Sequence, residues 1–133
     1  AADKLAAVIE AARPYIDGPF DGEEAVTLLA DLDAGATGTM TSGLLPEQIR
    51  PIVMSHLAGA QDAAPAHWTP CLPLINHENR QCGLRACKTV YAAGGVIKSD
   101  HVRHPLTPLS ERTKSRLLQL ASDLDLIALN WGK

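Results

Sequence analysis

Aromatic residues, cysteines and concentrated charge are all scarce in this chain. Its five aromatic side chains, Tyr15, Phe20, Trp68, Tyr91 and Trp131, are scattered over 133 residues, too thinly to build a platform on which bases stack. The formal net charge is -3 and there is no block of Lys and Arg, so nothing points to nucleic acid. No apolar run reaches the roughly 20 residues that span a bilayer, so no membrane partner is expected. The opening Ala1-Ala2-Asp3-Lys4-Leu5 reads as helix, not as a signal peptide. The cysteines, Cys71, Cys82 and Cys87, are odd in number and irregularly spaced. That argues against a disulfide framework and suits a reducing cytoplasm. A zinc site can be drawn from Cys71, His77, Cys82 and Cys87, but no CxxC or HxxxH pair anchors it. The expectation is buried apolar thiols and no metal. There is no internal repeat and no low-complexity tract.

What is present is the composition of a globular domain, with 46% hydrophobic and 20% charged residues, enough to bury a core. The chain has no initiator Met and opens inside an amphipathic helix, which suggests a piece of a longer protein. Leu5, Val8, Ile9 and Ala12 have helical spacing, and Pro14 closes that helix. Ile16 to Phe20 reads as a short, irregular strand. A helix from Ala25 to Leu32 follows, with Glu23 and Glu24 in its first turn, where acids favour the positive end of the dipole. Ala36 to Thr41 is the next strand candidate. This helix–strand–helix–strand rhythm belongs to a parallel sheet.

Pro46 suits the first position of a third helix to about Ala60, with Pro51 predicted to kink it or delay its start. Beyond Ala64-Pro65 the pattern turns helical, at about 66 to 79, 81 to 93 and 108 to 128. Gly94-Gly95 stops the second of these. Thr107-Pro108 is the predicted cap of the third, whose stripe is Leu117, Leu120, Leu124 and Ile127.

The segments that carry chemistry are Asp21-Gly22-Glu23-Glu24 and Gly35-Ala36-Thr37-Gly38-Thr39-Met40-Thr41-Ser42. Each reads as a strand end bearing polar groups, and parallel α/β folds keep their chemistry at such ends. Carboxylates on one tip and hydroxyls on the next make one wall of a site for a polyhydroxylated substrate. The plainer alternative stays open: Glu23 and Glu24 as helix-start acids, Thr41 and Ser42 as strand terminators or helix caps. Gly22 is expected to allow a tight turn that brings backbone to the ligand. Asp21 orients the loop, and Thr39 lies deeper and packs.

Gly22-Glu23-Glu24, then Gly35 to Ser42, then Val102-Arg103-His104-Pro105-Leu106-Thr107-Pro108-Leu109-Ser110 together resemble the dihydrodipicolinate synthase and N-acetylneuraminate lyase family. The order and spacing of the motifs carry the match over nearly the whole chain. The resemblance implies an α/β fold: the C-terminal part of a (β/α)8 TIM barrel, its last two strand–helix units within residues 1–61, plus a C-terminal helical extension over 62–133. Gly18 to Glu24, Ala36 to Ser42 and Asn76-His77-Glu78-Asn79-Arg80 are most similar to the 2-keto-3-deoxy-sugar-acid dehydratases of that family.

The activity so implied is that of a class I lyase. A lysine forms a Schiff base with a 2-keto acid, and a hydro-lyase reaction takes a substrate such as L-2-keto-3-deoxyarabonate to 2-oxoglutarate semialdehyde, with no cofactor. Glu24 is the implied catalytic residue, and Gly22, Glu23, Glu24, Thr41 and Ser42 the implied substrate-binding ones. The Schiff-base lysine and a proton-relaying tyrosine are expected upstream, outside this chain; Lys4 sits on a helix and faces solvent. A cytoplasmic homo-oligomer, dimer or tetramer, is implied as well. His77 to Arg80 reads as a polar joint between helices, His101 and His104 as tail surface, and Trp68 and Trp131 as packing anchors. Two alternatives remain: a pyruvate-dependent aldolase or synthase of the same family, and a non-catalytic partner-binding fragment.

Overall fold

The computed structural model describes residues 2–60 and 62–133, and these form two compact units. The first holds the residues up to Thr41 together with Gln48–Thr69; the second holds Ser42–Glu47 and Pro70–Lys133. No helix among the described residues is long and apolar enough to cross a membrane.

In the first unit, α1 (Ala2–Ala12) ends as Pro14 removes the next backbone donor. Ile9 is its buried residue; Val8, placed on the same apolar face by spacing, is exposed. β1 is only Phe20–Asp21, not Ile16 to Phe20, and β2 is only Gly38–Thr39. They pair in parallel, Phe20 opposite Gly38 and Asp21 opposite Thr39. The Pro19 carbonyl accepts from Thr37 N–H and the Asp21 carbonyl from Met40 N–H, so the ladder extends slightly past both ends. α2 spans Leu28–Asp33, three residues later than the apolar pattern indicated. Glu24 and Ala25 have φ of 54° and 66°, a left-handed backbone that cannot start a right-handed helix. Gly35, at φ +107°, receives the Ile9 side chain so closely that an added Cβ would lie 3.0 Å from it. α3 (Pro46–Leu57), of which the residues from Gln48 on belong to this unit, begins at Pro46 and runs through Pro51 without the predicted delay. Leu28, Leu32, Ile49 and Ile52 centre this core. α4 (Ala63–Trp68) follows.

The second unit is helical. A 3-10 turn leads into α5 (Leu72–His77), which widens into a π-helical turn at Glu78–Cys82. α6 (Arg85–Ala93) closes with Val96 N–H on the Tyr91 carbonyl and Gly95 N–H on the Ala92 carbonyl. Gly95 sits at φ +74°, the left-handed residue this closure requires. α7 (Glu111–Asp123) is capped by Ser110, whose Oγ accepts from Thr113 N–H at 3.2 Å, and not by Thr107-Pro108. It stops before Leu124; Leu126 and Ala128 take the buried places, and Ile127 points outward. Leu74, Ile75, Val90 and Leu117 form the centre of this core.

Candidate functional site

The parallel pairing of β1 and β2 brings the Asp21 turn and the Thr39-Met40-Thr41 tip to the same end of the sheet. Asp21, 2% exposed, ties them together. One carboxylate oxygen accepts from Thr39 Oγ1 at 2.6 Å and the other from Glu23 N–H at 3.1 Å. The second bond closes an Asx turn over Gly22. Asp21 therefore organises the whole tip, a larger role than loop orientation. Thr39, half-buried, is spent on that bond, which gives it a structural role.

Beyond the Asx turn, Val26 N–H returns to the Glu23 carbonyl at 3.0 Å, a tight turn with Glu24 and Ala25 at its centre. A left-handed conformation costs an ordinary residue about 1–2 kcal/mol, so two in succession persist only if their surroundings hold them. Ala25 is fully buried and its carbonyl accepts from Trp68 Nε1 at 2.9 Å. This corrects two expectations. Glu23 and Glu24 are not in a helical first turn: they stand exposed on the loop before α2. Gly22 is not where the turn demands glycine, since its φ is outside the left-handed region and an added Cβ would meet nothing within 4 Å. Thr41 follows the β2 tip and is half-buried.

Ser42 belongs to the helical unit. Its Oγ donates to Glu78 Oε2 at 2.9 Å and accepts from Leu44 N–H at 3.3 Å; it does not cap α3, which starts at Pro46. In the same unit Tyr91 Oη donates to the Gly43 carbonyl at 2.6 Å, and Glu47 Oε1 accepts from Ile127 N–H at 2.9 Å. Burial first, then the negative fields of Cys87, Glu47 and Glu78, push the Tyr91 phenol up, so it keeps its proton and remains a donor. Glu78, only 6% exposed, is an interior hydrogen-bonding group. Sequence reasoning placed it in a polar joint and missed its bond to Ser42. The signal was its helical spacing from Cys71, Leu74, Ile75 and Cys82, which puts the carboxylate on their buried stripe.

A cavity of about 300 Å³ beside Tyr91 is lined mainly by apolar groups, with Trp131 at its rim. Trp131 is 74% exposed, so it is not the packing anchor expected; Trp68 is. Cys71 and Cys82 are buried. Burial first, then the Glu47 carboxylate, raises the Cys71 thiol; burial first, then Glu78, raises Cys82 to about 11, against the opposing pull of Arg85. Both changes disfavour the thiolate that a metal needs. Among the described residues no group of three or more His, Cys, Asp and Glu is arranged to hold a metal ion. His101 and His104 are exposed.

The profile of the Dihydrodipicolinate synthetase family matches residues 8–124. An L-2-keto-3-deoxyarabonate dehydratase from Azospirillum brasilense is 50% identical over 132 residues, 99% of this chain and 43% of that protein. The chain thus spans less than half the length of the curated relative it matches. Among solved structures, a dihydrodipicolinate synthase from Rhodopseudomonas palustris superposes with a TM-score of 0.82 at 24% identity, over 92% of this chain and 42% of that one. One from Aquifex aeolicus gives 0.81 at 16% identity, over 95% and 43%. At these identities the structural likeness shows the fold alone.

Proposed function

The chain belongs to the dihydrodipicolinate synthetase family, and on that premise we propose that it is the C-terminal part of a class I lyase that dehydrates a 2-keto-3-deoxy sugar acid. The substrate we propose is L-2-keto-3-deoxyarabonate, and the product 2-oxoglutarate semialdehyde. The 50% identity to the Azospirillum dehydratase across almost the entire chain carries this choice.

A two-stranded parallel sheet has no stability of its own; parallel strands need neighbours and covering helices. β1 and β2 form the one sheet among the described residues, and Phe20 and Met40 beside it are 55% and 65% exposed. This supports further strands flanking the pair in the whole protein, as part of a (β/α)8 barrel. Active sites of such barrels lie at the C-terminal strand ends, which is where the Asp21 turn and the Thr39–Thr41 tip meet.

In the proposed reaction, a lysine amine condenses with the substrate's 2-keto group and releases water. The protonated imine draws electrons, so the C3 proton leaves to a base and an enamine forms. The enamine expels the C4 hydroxyl as water once a proton reaches it. The unsaturated imine so formed then loses a C5 proton and gains one at C3, the C4–C5 enol collapses to the aldehyde with protonation at C4, and hydrolysis frees the product. Glu24 is the proposed proton carrier near the leaving hydroxyl. Glu23, Thr41 and Ser42 hold substrate hydroxyls, and Gly22 lets backbone approach.

The reactive lysine belongs elsewhere in the protein. Such a lysine must be deprotonated, which burial favours. Lys4, Lys88, Lys98 and Lys133 are exposed. Lys114 is held 2.8 Å from Asp100, and that hydrogen bond raises its pKa above the usual value. A cytoplasmic homo-oligomer, dimer or tetramer, completes the reading.

The deciding experiment is a product assay of the full-length protein with 2-keto-3-deoxyarabonate. Formation of the semialdehyde with no pyruvate supports dehydration. Pyruvate with an aldehyde fragment would replace it by aldol cleavage.

A further inference from the structure

We propose that Glu78 is a positioning residue that fixes Ser42 as a hydrogen-bond acceptor, so that this corner of the site selects a substrate group able to donate a proton, a hydroxyl. The proposal rests on the reading of Ser42 as a substrate-binding residue.

A serine hydroxyl has one proton and two lone pairs. Ser42 commits its proton to Glu78 Oε2 at 2.9 Å and one lone pair to Leu44 N–H at 3.3 Å. One lone pair remains, and it can only accept. The hydroxyl cannot turn to offer its proton without leaving a carboxylate that is 6% exposed. Burial strengthens that bond, and the chain of bonds polarises Ser42 Oγ into a better acceptor. The flanking backbone is fixed too. Tyr91 holds the Gly43 carbonyl, Glu47 holds Ile127 N–H, and the Leu44 and Leu45 side chains are fully buried. Glu78 opens a π-helical turn, a distortion that recurs at functional positions. A sugar-acid hydroxyl meeting Ser42 donates to it; a carbonyl or ether oxygen there would set lone pair against lone pair.

The test uses the full-length protein and its Glu78→Gln, Ser42→Ala and doubly substituted variants. It compares 2-keto-3-deoxyarabonate turnover with borohydride trapping of pyruvate, which carries no hydroxyl. Glu78→Gln should raise KM for the sugar acid about tenfold, as for loss of a hydrogen bond to a charged group, and weaken pyruvate trapping at least several-fold less. The double variant should be no worse than Ser42→Ala, since Glu78 acts through Ser42. Equal losses on both substrates, an unchanged KM, or losses that multiply in the double variant would overturn the proposal.

If Glu78→Gln does not fold, inhibition by substrate analogues with each hydroxyl replaced in turn by fluorine carries the test, since fluorine cannot donate. One position should bind about tenfold more weakly in the unsubstituted protein, and lose nothing further in Ser42→Ala. No such position would refute the assignment. A wild-type protein that neither turns over the sugar acid nor traps pyruvate removes the underlying reading, and the proposal with it; normal turnover without the Glu78 pattern removes the proposal alone.

Discussion

Glu23 and Glu24 stand in solvent above a backbone bent into the left-handed region, whereas Glu78 is sealed inside the helical unit on a right-handed backbone at the start of a π-helical turn. The first arrangement keeps carboxylates available and is held by its neighbours: Asp21 beneath, Trp68 on the Ala25 carbonyl. The second uses its carboxylate as a fixed internal partner. Strain gathers at the exposed turn proposed to meet the substrate, while satisfied polar groups gather where geometry must be kept. Apart from Ser42 and its partner Glu78, substitutions in the helical unit should therefore act mainly on stability, and substitutions at the strand tips mainly on activity.

The strongest challenge to that contrast is Gly94→Ala. A Cβ there would overlap the Ala128 carbonyl, where the C-terminal backbone crosses α6. With backbone on both sides there is no side chain to yield, so a loss of about 3 kcal/mol is expected by denaturant unfolding of the full-length protein. A loss under about 0.5 kcal/mol, the range of an unconstrained surface change, would show the crossing to be adjustable.

Alkali probes the same unit less severely. The Cys82 thiol is raised from 9.0 to about 11 in the fold. Below pH 9 the thiol is protonated folded or unfolded, and its contribution is fully present. Between 9 and 11 only the unfolded thiol ionises, so stability falls as pH rises, by order 2 kcal/mol. Melting temperatures should drop across that window, and Cys82→Ala should flatten the drop. An unchanged profile in Cys82→Ala would assign the alkaline loss to other groups.

At the strand tips, Trp68→Phe removes the indole N–H that holds Ala25. It should cost about 1 kcal/mol of stability and a larger share of activity, because the Glu24 turn is loosened. Equal losses would mean the turn is only structural. The smallest stability effects belong to Gly22→Ala and Glu24→Gly, each within about 0.5 kcal/mol. Glycine relieves the left-handed strain at Glu24, and Gly22 has open space around it. Their activities should nevertheless part from their stabilities. Glu24→Gly should lose about a hundredfold or more in kcat, as for a proton-transfer group, and Gly22→Ala should raise KM if backbone meets substrate there.

Much of the helical unit was legible because Leu117, Leu120 and the Gly94-Gly95 stop follow helical period and closure chemistry. The parallel pair was legible as two short strand candidates flanking an apolar helix. What escaped was backbone conformation. Nothing in Glu24-Ala25 announces a left-handed turn, since neither residue favours one, and so the start of α2 was placed too early. The role of Asp21 escaped because its partner Thr39 meets it only once the strands pair. Ser42 was legible as a polar position, but its bond to Glu78 spans 36 residues and no local pattern encodes it. Trp131 followed the rule that tryptophan packs, yet the chain turns after Leu126 and leaves it at a cavity rim.

The central claim is that this chain frames and selects the substrate while the covalent bond forms on a lysine elsewhere in the same protein. Borohydride reduction of the full-length protein with 2-keto-3-deoxyarabonate, followed by peptide mass mapping, tests it directly. The account predicts a single adduct on a lysine other than Lys4, Lys88, Lys98, Lys114 and Lys133. An adduct on one of those five, or no adduct while turnover proceeds, would contradict it.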